Sequence, residues 1–137
     1  MTILLDTDVL IDLALDRGPY VLAAGELLDL LEQRPGTAYV AWHTISNFYY
    51  LVSPGRGRTG TREFIVDLTT FVEVAPTTTD SLLYATRLGM RDFEDAMQVA
   101  AAAACGAQTI ATRNTRDFAR SPIRAATPKS LLRELRA

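Results

Sequence analysis

Only one cysteine, Cys105, occurs in the 137 residues, so no disulfide can form within the chain. There is also a single histidine, His43, and together the two supply too few soft ligands for a zinc site. Long apolar runs are missing: Val99 to Cys105 is short and alanine-rich, and the N-terminus carries an acid where a secretion signal would carry basic residues. These absences predict a cytoplasmic protein without a membrane span, and they make Cys105 a small packing residue. Positive charge is not in excess either, since 14 Lys and Arg face 16 Asp and Glu for a net charge of −2. Any grip on nucleic acid must therefore come from local clusters rather than from bulk electrostatics. Lysine is nearly absent, Lys129 being the only one; the arginine bias suits bidentate phosphate contacts, and genomic base composition produces the same bias.

A hydrophobic share of 48% is enough for one buried core, which predicts a single domain over residues 1–137. Ile3-Leu4-Leu5 reads as a strand that ends at Asp6, and Val9 to Leu13 then has helical spacing. A second helix is predicted through Tyr20, Ala24, Leu27, Leu28 and Leu31, between Pro19 and Pro35-Gly36. Tyr39 to Ala41 is a second strand, followed by a helix through Ile45, Phe48, Tyr49 and Val52 that Pro54-Gly55 should stop, leaving Pro54 to Gly60 as an arginine-bearing loop. Phe64 to Leu68 predicts a helix, Phe71 to Val74 a strand, and Thr77 to Asp80 the cap of a helix carrying Leu82, Ala85 and Leu88. A helix from about Asp92 to Ala104 ends near Gly106, and Thr109 to Ala111 is a buried strand. An irregular arginine-rich loop follows, and Thr127-Pro128 opens a terminal helix. Strand and helix alternate throughout, so the expected class is α/β with a parallel sheet covered by helices.

In a parallel sheet, sites form at the carboxyl ends of strands, which is where Asp6 stands. Asp6 also suits the N-cap of the next helix, and position alone leaves both roles open. Asp92 and Asp95 lie on one helical face, with Glu94 pointing elsewhere, and like charges at that spacing repel unless a cation or arginine lies between them. Solvated acids at a helix start show the same spacing. Asp117 lies in Thr112-Arg113-Asn114-Thr115-Arg116-Asp117-Phe118, after the last predicted strand and at the same edge as Asp6, where an Asx turn is the structural alternative. Hydroxyl, amide and carboxylate oxygens suit magnesium or manganese. Tyr50 or its aromatic neighbours could stack on a base, although Phe48 and Tyr49 suit the core better. His43 suits a cap or packing role.

In order and spacing, four stretches resemble the PIN-domain family, which includes the toxin ribonucleases of VapBC toxin–antitoxin operons. They are Leu4 to Asp12, Thr44 to Leu51, Asp92 to Gln98, and Thr112 to Phe118; with Thr127-Pro128 they span nearly the whole chain. The resemblance implies a three-layer fold, a central parallel sheet flanked by helices, and acids that meet to bind Mg2+ or Mn2+ for RNA hydrolysis. By matching motif, Asp6 corresponds to the first acid, Asp95 to the helix acid, and Asp117 or Asn114 to the loop contribution. The family usually places a glutamate where Asn47 stands here, and Asp92 beside Asp95 can restore the missing charge. Asp6, Asp92, Asp95 and Asp117 are thus the expected catalytic and metal-binding residues, supported by Asn47, Thr112 and Asn114. Arg56, Arg58 and Arg62 or Arg113 and Arg116 are the expected contacts to RNA. The resemblance further implies a homodimer and a small antitoxin that covers the acidic cleft. Two alternatives remain: a catalytically inactive PIN-like module that binds RNA or protein, for which Asn47 speaks, and a phosphoryl-transfer enzyme of the haloacid-dehalogenase type, for which no well-placed lysine exists.

Overall fold

The computed structural model describes residues 1–137. Five three-residue strands form one wholly parallel sheet: β1 (Ile3–Leu5), β2 (Ala38–Val40), β3 (Val72–Val74), β4 (Thr109–Ala111) and β5 (Arg124–Ala126), in the spatial order β3-β2-β1-β4-β5. The order reverses between β1 and β4, whose register pairs Ile3 with Thr109 and Leu5 with Ala111. Ligand crevices open at such a reversal, outside the carboxyl ends of the strands. Asp6 follows β1 and Thr112 follows β4, so both border this crevice.

Helices cover both faces because β1 is buried on both, with Ile3, Leu4 and Leu5 all fully inaccessible. Ile3 and Leu5 point into the larger core, formed with α1 (Thr7–Ala14), α2 (Val21–Glu32), α3 (Trp42–Arg56), α4 (Arg58–Leu68) and α7 (Pro128–Arg136). Leu4 points the other way, into a smaller cluster with Ile110 and with Val99, Ala101 and Ala102 of α6 (Phe93–Ala104). The alanines of α6 let it lie close to the sheet, and α5 (Thr79–Arg87) packs on α6 through Ala85, Ala96 and Ala100. The result is a three-layer α/β/α domain. No helix is long and apolar enough to cross a membrane.

Two expectations are corrected. Pro54-Gly55 does not stop the helix: α3 continues to Arg56 with Pro54 inside it, and α4 begins at Arg58, so there is no loop from Pro54 to Gly60. Proline removes only one donor, the bond that residue 54 would make to Tyr50, and its absence is tolerable in a last turn. Arg56 holds the junction by donating to the Ala14 carbonyl at 2.9 Å while its guanidinium lies over Phe64. The chain breaks instead at Gly57, whose φ of 87° and ψ of 151° suit glycine. The second correction concerns the segment after β4. It contains a 3-10 turn (Thr115–Phe118) and the edge strand β5, so it is not an irregular loop throughout. An edge strand with an exposed arginine at its start carries no alternating apolar signal.

Candidate functional site

Asp6 is the N-cap of α1: its Oδ1 accepts from the Thr7 N–H at 2.8 Å, and its Oδ2 accepts from the Thr112 hydroxyl at 2.8 Å. The cap role and a place at the crevice therefore coexist. Asp6 is only 6% exposed. Burial first, then the Asp8 charge, push its pKa up from 3.8 to about 7, against the opposing hydrogen bond from Thr112.

Asp8 is not among the expected ligands, although Asp6-Thr7-Asp8 is visible in the sequence. Its Oδ2 accepts from the Thr112 hydroxyl at 3.2 Å, the Arg113 N–H at 3.0 Å and the Asn114 amide at 3.2 Å. The strand-end loop is thus fastened to the first turn of α1. Burial raises the Asp8 pKa, against the Arg113 N–H and guanidinium, and its Oδ1 is buried without any partner.

Asp92 caps α6 by accepting from the Asp95 N–H at 3.0 Å. Asp95 is half-buried, and its pKa is raised to about 7 by burial first, then by the charges of Asp92, Glu94, Asp117 and Asp8. Asp92, Asp95 and Asp117 line one open cleft of about 500 Å3 together with Arg91, Arg116 and Arg120. Glu94 does not simply point elsewhere: its Oε2 lies 2.8 Å from His43 Nε2, and its charge reaches Asp6 as well as Asp95. Asn47 is exposed on α3, and Asn114 is exposed beside Asp8.

A buried polar knot lies among the same elements. Gln98 of α6 donates to Thr44 of α3 at 2.7 Å and approaches Thr7 of α1 at 3.5 Å, while the two threonine hydroxyls are 3.3 Å apart. Gln98 Oε1 has no partner, which for a fully buried carbonyl costs about 1–3 kcal/mol. The knot fixes the first turns of α1 and α3 against the second turn of α6.

The expected arginines divide. Arg116 lines the cleft, whereas Arg56 and Arg58 do not, Arg56 being committed to Ala14 and Phe64. Arg62 lies over the Tyr49 ring. Arg113 is not free for phosphate, because its Nε and Nη2 donate to both oxygens of Asp12 at 2.5 and 3.1 Å. Arg91 and Arg120 join the cleft without having been expected there, since isolated arginines between elements carry no sequence signal.

The raised pKa values set a direction for stability. A carboxyl held above its unfolded value contributes stability that is complete below about pH 4 and is lost as pH rises through about 7. For Asp6 the decrease is on the order of 4 kcal/mol. Urea denaturation of metal-free protein between pH 5 and 8 should show a steeper fall for the parent than for Asp6→Asn. Parallel curves would show that Asp6 does not carry this dependence.

No curated protein matches the sequence. The solved Mycobacterium tuberculosis VapC20, a sarcin-ricin-loop-cleaving toxin, is similar at a TM-score of 0.64 and 21% identity, covering 80% of this chain and 87% of that one. Rickettsia felis VapBC2, bound to a promoter DNA fragment, gives 0.71 and 17% over 93% and 98% of the two chains. Neisseria gonorrhoeae FitAcB gives 0.66 and 21% over 93% and 99%. At these identities the likeness shows the fold. The family description PIN domain matches residues 2–116 of the sequence itself, and the chain belongs to the PIN-domain family.

Proposed function

We propose that this chain is a divalent-cation-dependent ribonuclease that hydrolyses phosphodiester bonds, and that it is the toxin of a toxin–antitoxin pair acting in the cytoplasm. The observation that carries the reading is the gathering of Asp92, Asp95 and Asp117 on one cleft, with Asp6 and Asp8 held together by Thr112 at the strand ends. Such a cluster is costly without a cation, and buried Asp8 Oδ1 is left without a partner. The donors are all oxygens, which fits Mg2+ or Mn2+. No three His, Cys, Asp or Glu side chains are arranged to hold an ion as they stand, so loading requires the ligand side chains to rearrange.

Asp6, Asp95, Asp92 and Asp117 are the proposed ligands, with Thr112 and Asn114 as supports; Asn47, at the position where the family usually has glutamate, does not line the cleft of Asp92, Asp95 and Asp117. A bound ion supplies Lewis acidity and a water of lowered pKa. The protein's own part is to position: Thr112 holds Asp6 and Asp8 together, Asp92 fixes the first turn of α6, and Arg116 offers a bidentate donor to phosphate. The similar folds of VapBC2 and FitAcB support an antitoxin partner, and a homodimer is the proposed assembly.

A second reading, an inactive binding module, is favoured by the neutral Asn47. The experiment that separates them is cleavage of single-stranded RNA with added Mg2+ or Mn2+, with melting followed in parallel. The ribonuclease reading expects cleavage that EDTA abolishes and a metal-induced rise in Tm at pH 8. Neither effect across varied RNAs and both metals would leave the binding module.

A further inference from the structure

Opposite charges share the acidic cleft without pairing. Arg91 immediately precedes the Asp92 cap, Arg116 lies in the 3-10 turn, and Arg120 follows that turn two residues after buried Phe118. All three arginines are exposed, and all line the cleft with Asp92, Asp95 and Asp117. Yet the ion pairs of the molecule are His43–Glu94, Arg113–Asp12, Arg124–Glu134 and Arg136–Glu26, none of which uses these arginines. Their donors are therefore free, whereas Arg113 and Arg56 have theirs occupied within the protein.

We propose that Arg91 and Arg120, together with Arg116, form a phosphate clamp that holds the backbone of single-stranded RNA on either side of the bond to be cut. The inference rests on the ribonuclease reading of the same cleft. Three guanidinium groups balance three carboxylates, so the cleft repels RNA less than its acids alone would. A divalent cation held by these acids and Asp6 leaves one net positive charge, which favours phosphate. Bidentate geometry suits arginine to this task, since its fork matches two phosphate oxygens. Anchoring also matters: a capped helix start fixes the backbone at Arg91, and Phe118 fixes the turn before Arg120. The sequence-level candidates Arg56 and Arg58 lie outside this cleft.

Binding, separated from turnover, tests the clamp. Asp95→Asn protein, which lacks a proposed metal ligand and one negative charge, is titrated in EDTA with a fluorescein-labelled single-stranded RNA, and anisotropy is read at several salt concentrations. Arg91→Ala and Arg120→Ala in that background should each weaken binding about 10-fold, with the salt slope falling by about 0.7 for each phosphate no longer held. Arg58→Ala should match the background. RNA bound by the Arg91→Ala/Arg120→Ala double variant with unchanged affinity and slope would overturn the clamp and leave the ribonuclease reading standing. No binding of RNA by the background protein at any salt would also overturn the clamp, while cleavage by the parent protein in Mg2+ decides the ribonuclease reading separately. Binding of polyglutamate in preference to RNA would assign the arginines to an acidic peptide instead.

Discussion

Asp95→Asn is expected to abolish RNA cleavage while making the metal-free protein more stable. Removing a support around a metal already costs about 10- to 100-fold in affinity or activity, so removal of a ligand charge should cost about 100-fold or more. Stability moves the other way because Asp95 is disfavoured as an anion by burial and by Asp92, Glu94, Asp117 and Asp8. One effect opposes this: an acid in the first turn of α6 gains about 0.3–1 kcal/mol from the helix dipole. Four neighbouring acids and partial burial outweigh that gain, and after screening by solvent the net should be about 1 kcal/mol, or a Tm higher by about 3 °C. The sign depends on pH. At pH 8 the parent carries the charge and the variant is favoured; at pH 4, close to the unfolded-state pKa of 3.8, most of the difference should be gone. Calorimetry at both pH values in EDTA, beside a cleavage assay in Mg2+, checks both halves. An inactive variant destabilised at pH 8 would mean that Asp95 is a structural acid, and undiminished cleavage would remove it from the site.

The alternation of elements is legible because the central strands β1 and β4 end at abrupt polar residues and the helices beside them show apolar spacing. Leu5 to Asp6 and Ala111 to Thr112 are such boundaries, and they mark both sides of the crevice. Pro54 misleads because proline is a breaker by local rule, whereas the contacts of Arg56 with Ala14 and Phe64 come from tertiary packing. At β5 the pairing with β4 supplies what the sequence of Arg124 to Ala126 does not express.

The site is legible in its acids and opaque in its partnerships. Asp6, Asp95 and Asp117 stand where a strand end, a helix start and a strand-end loop place them. Asp8 reads locally as an ordinary first-turn acid, and only Thr112, Arg113 and Asn114, more than 100 residues away, give it a role. Gln98 reads as a stray polar residue in an alanine-rich helix until Thr44 and Thr7 are brought to it. Arg113 reads as a free cation because nothing in the sequence reveals that Asp12, 101 residues earlier, claims it.

The Arg113–Asp12 pair carries the largest expected effect on folding: Arg113→Ala should destabilise the protein by about 3–5 kcal/mol. Asp12 is 1% exposed, and Arg113 binds both of its carboxylate oxygens. Truncating the arginine would strand a buried negative charge, which costs far more than the pair contributes. The guanidinium also lies 4.1 Å from the centre of the Tyr20 ring, a contact worth about 0.5–1 kcal/mol more. Asp12 holds the Arg113 pKa above its usual value, as a tight bidentate partner should. Arg113→Lys cannot restore the fork geometry and should recover only part of the stability. Asp12→Leu combined with Arg113→Met removes both charges and should be markedly more stable than Arg113→Ala, because no group is left unpaired. The Arg113 N–H binds Asp8, so removing the anchor should also loosen the loop that holds Asp8 and Thr112. Urea denaturation at pH 8 measures all four proteins. A decrease below about 1 kcal/mol for Arg113→Ala, or a double variant less stable than the single, would show that the Asp12 charge is accommodated without its arginine.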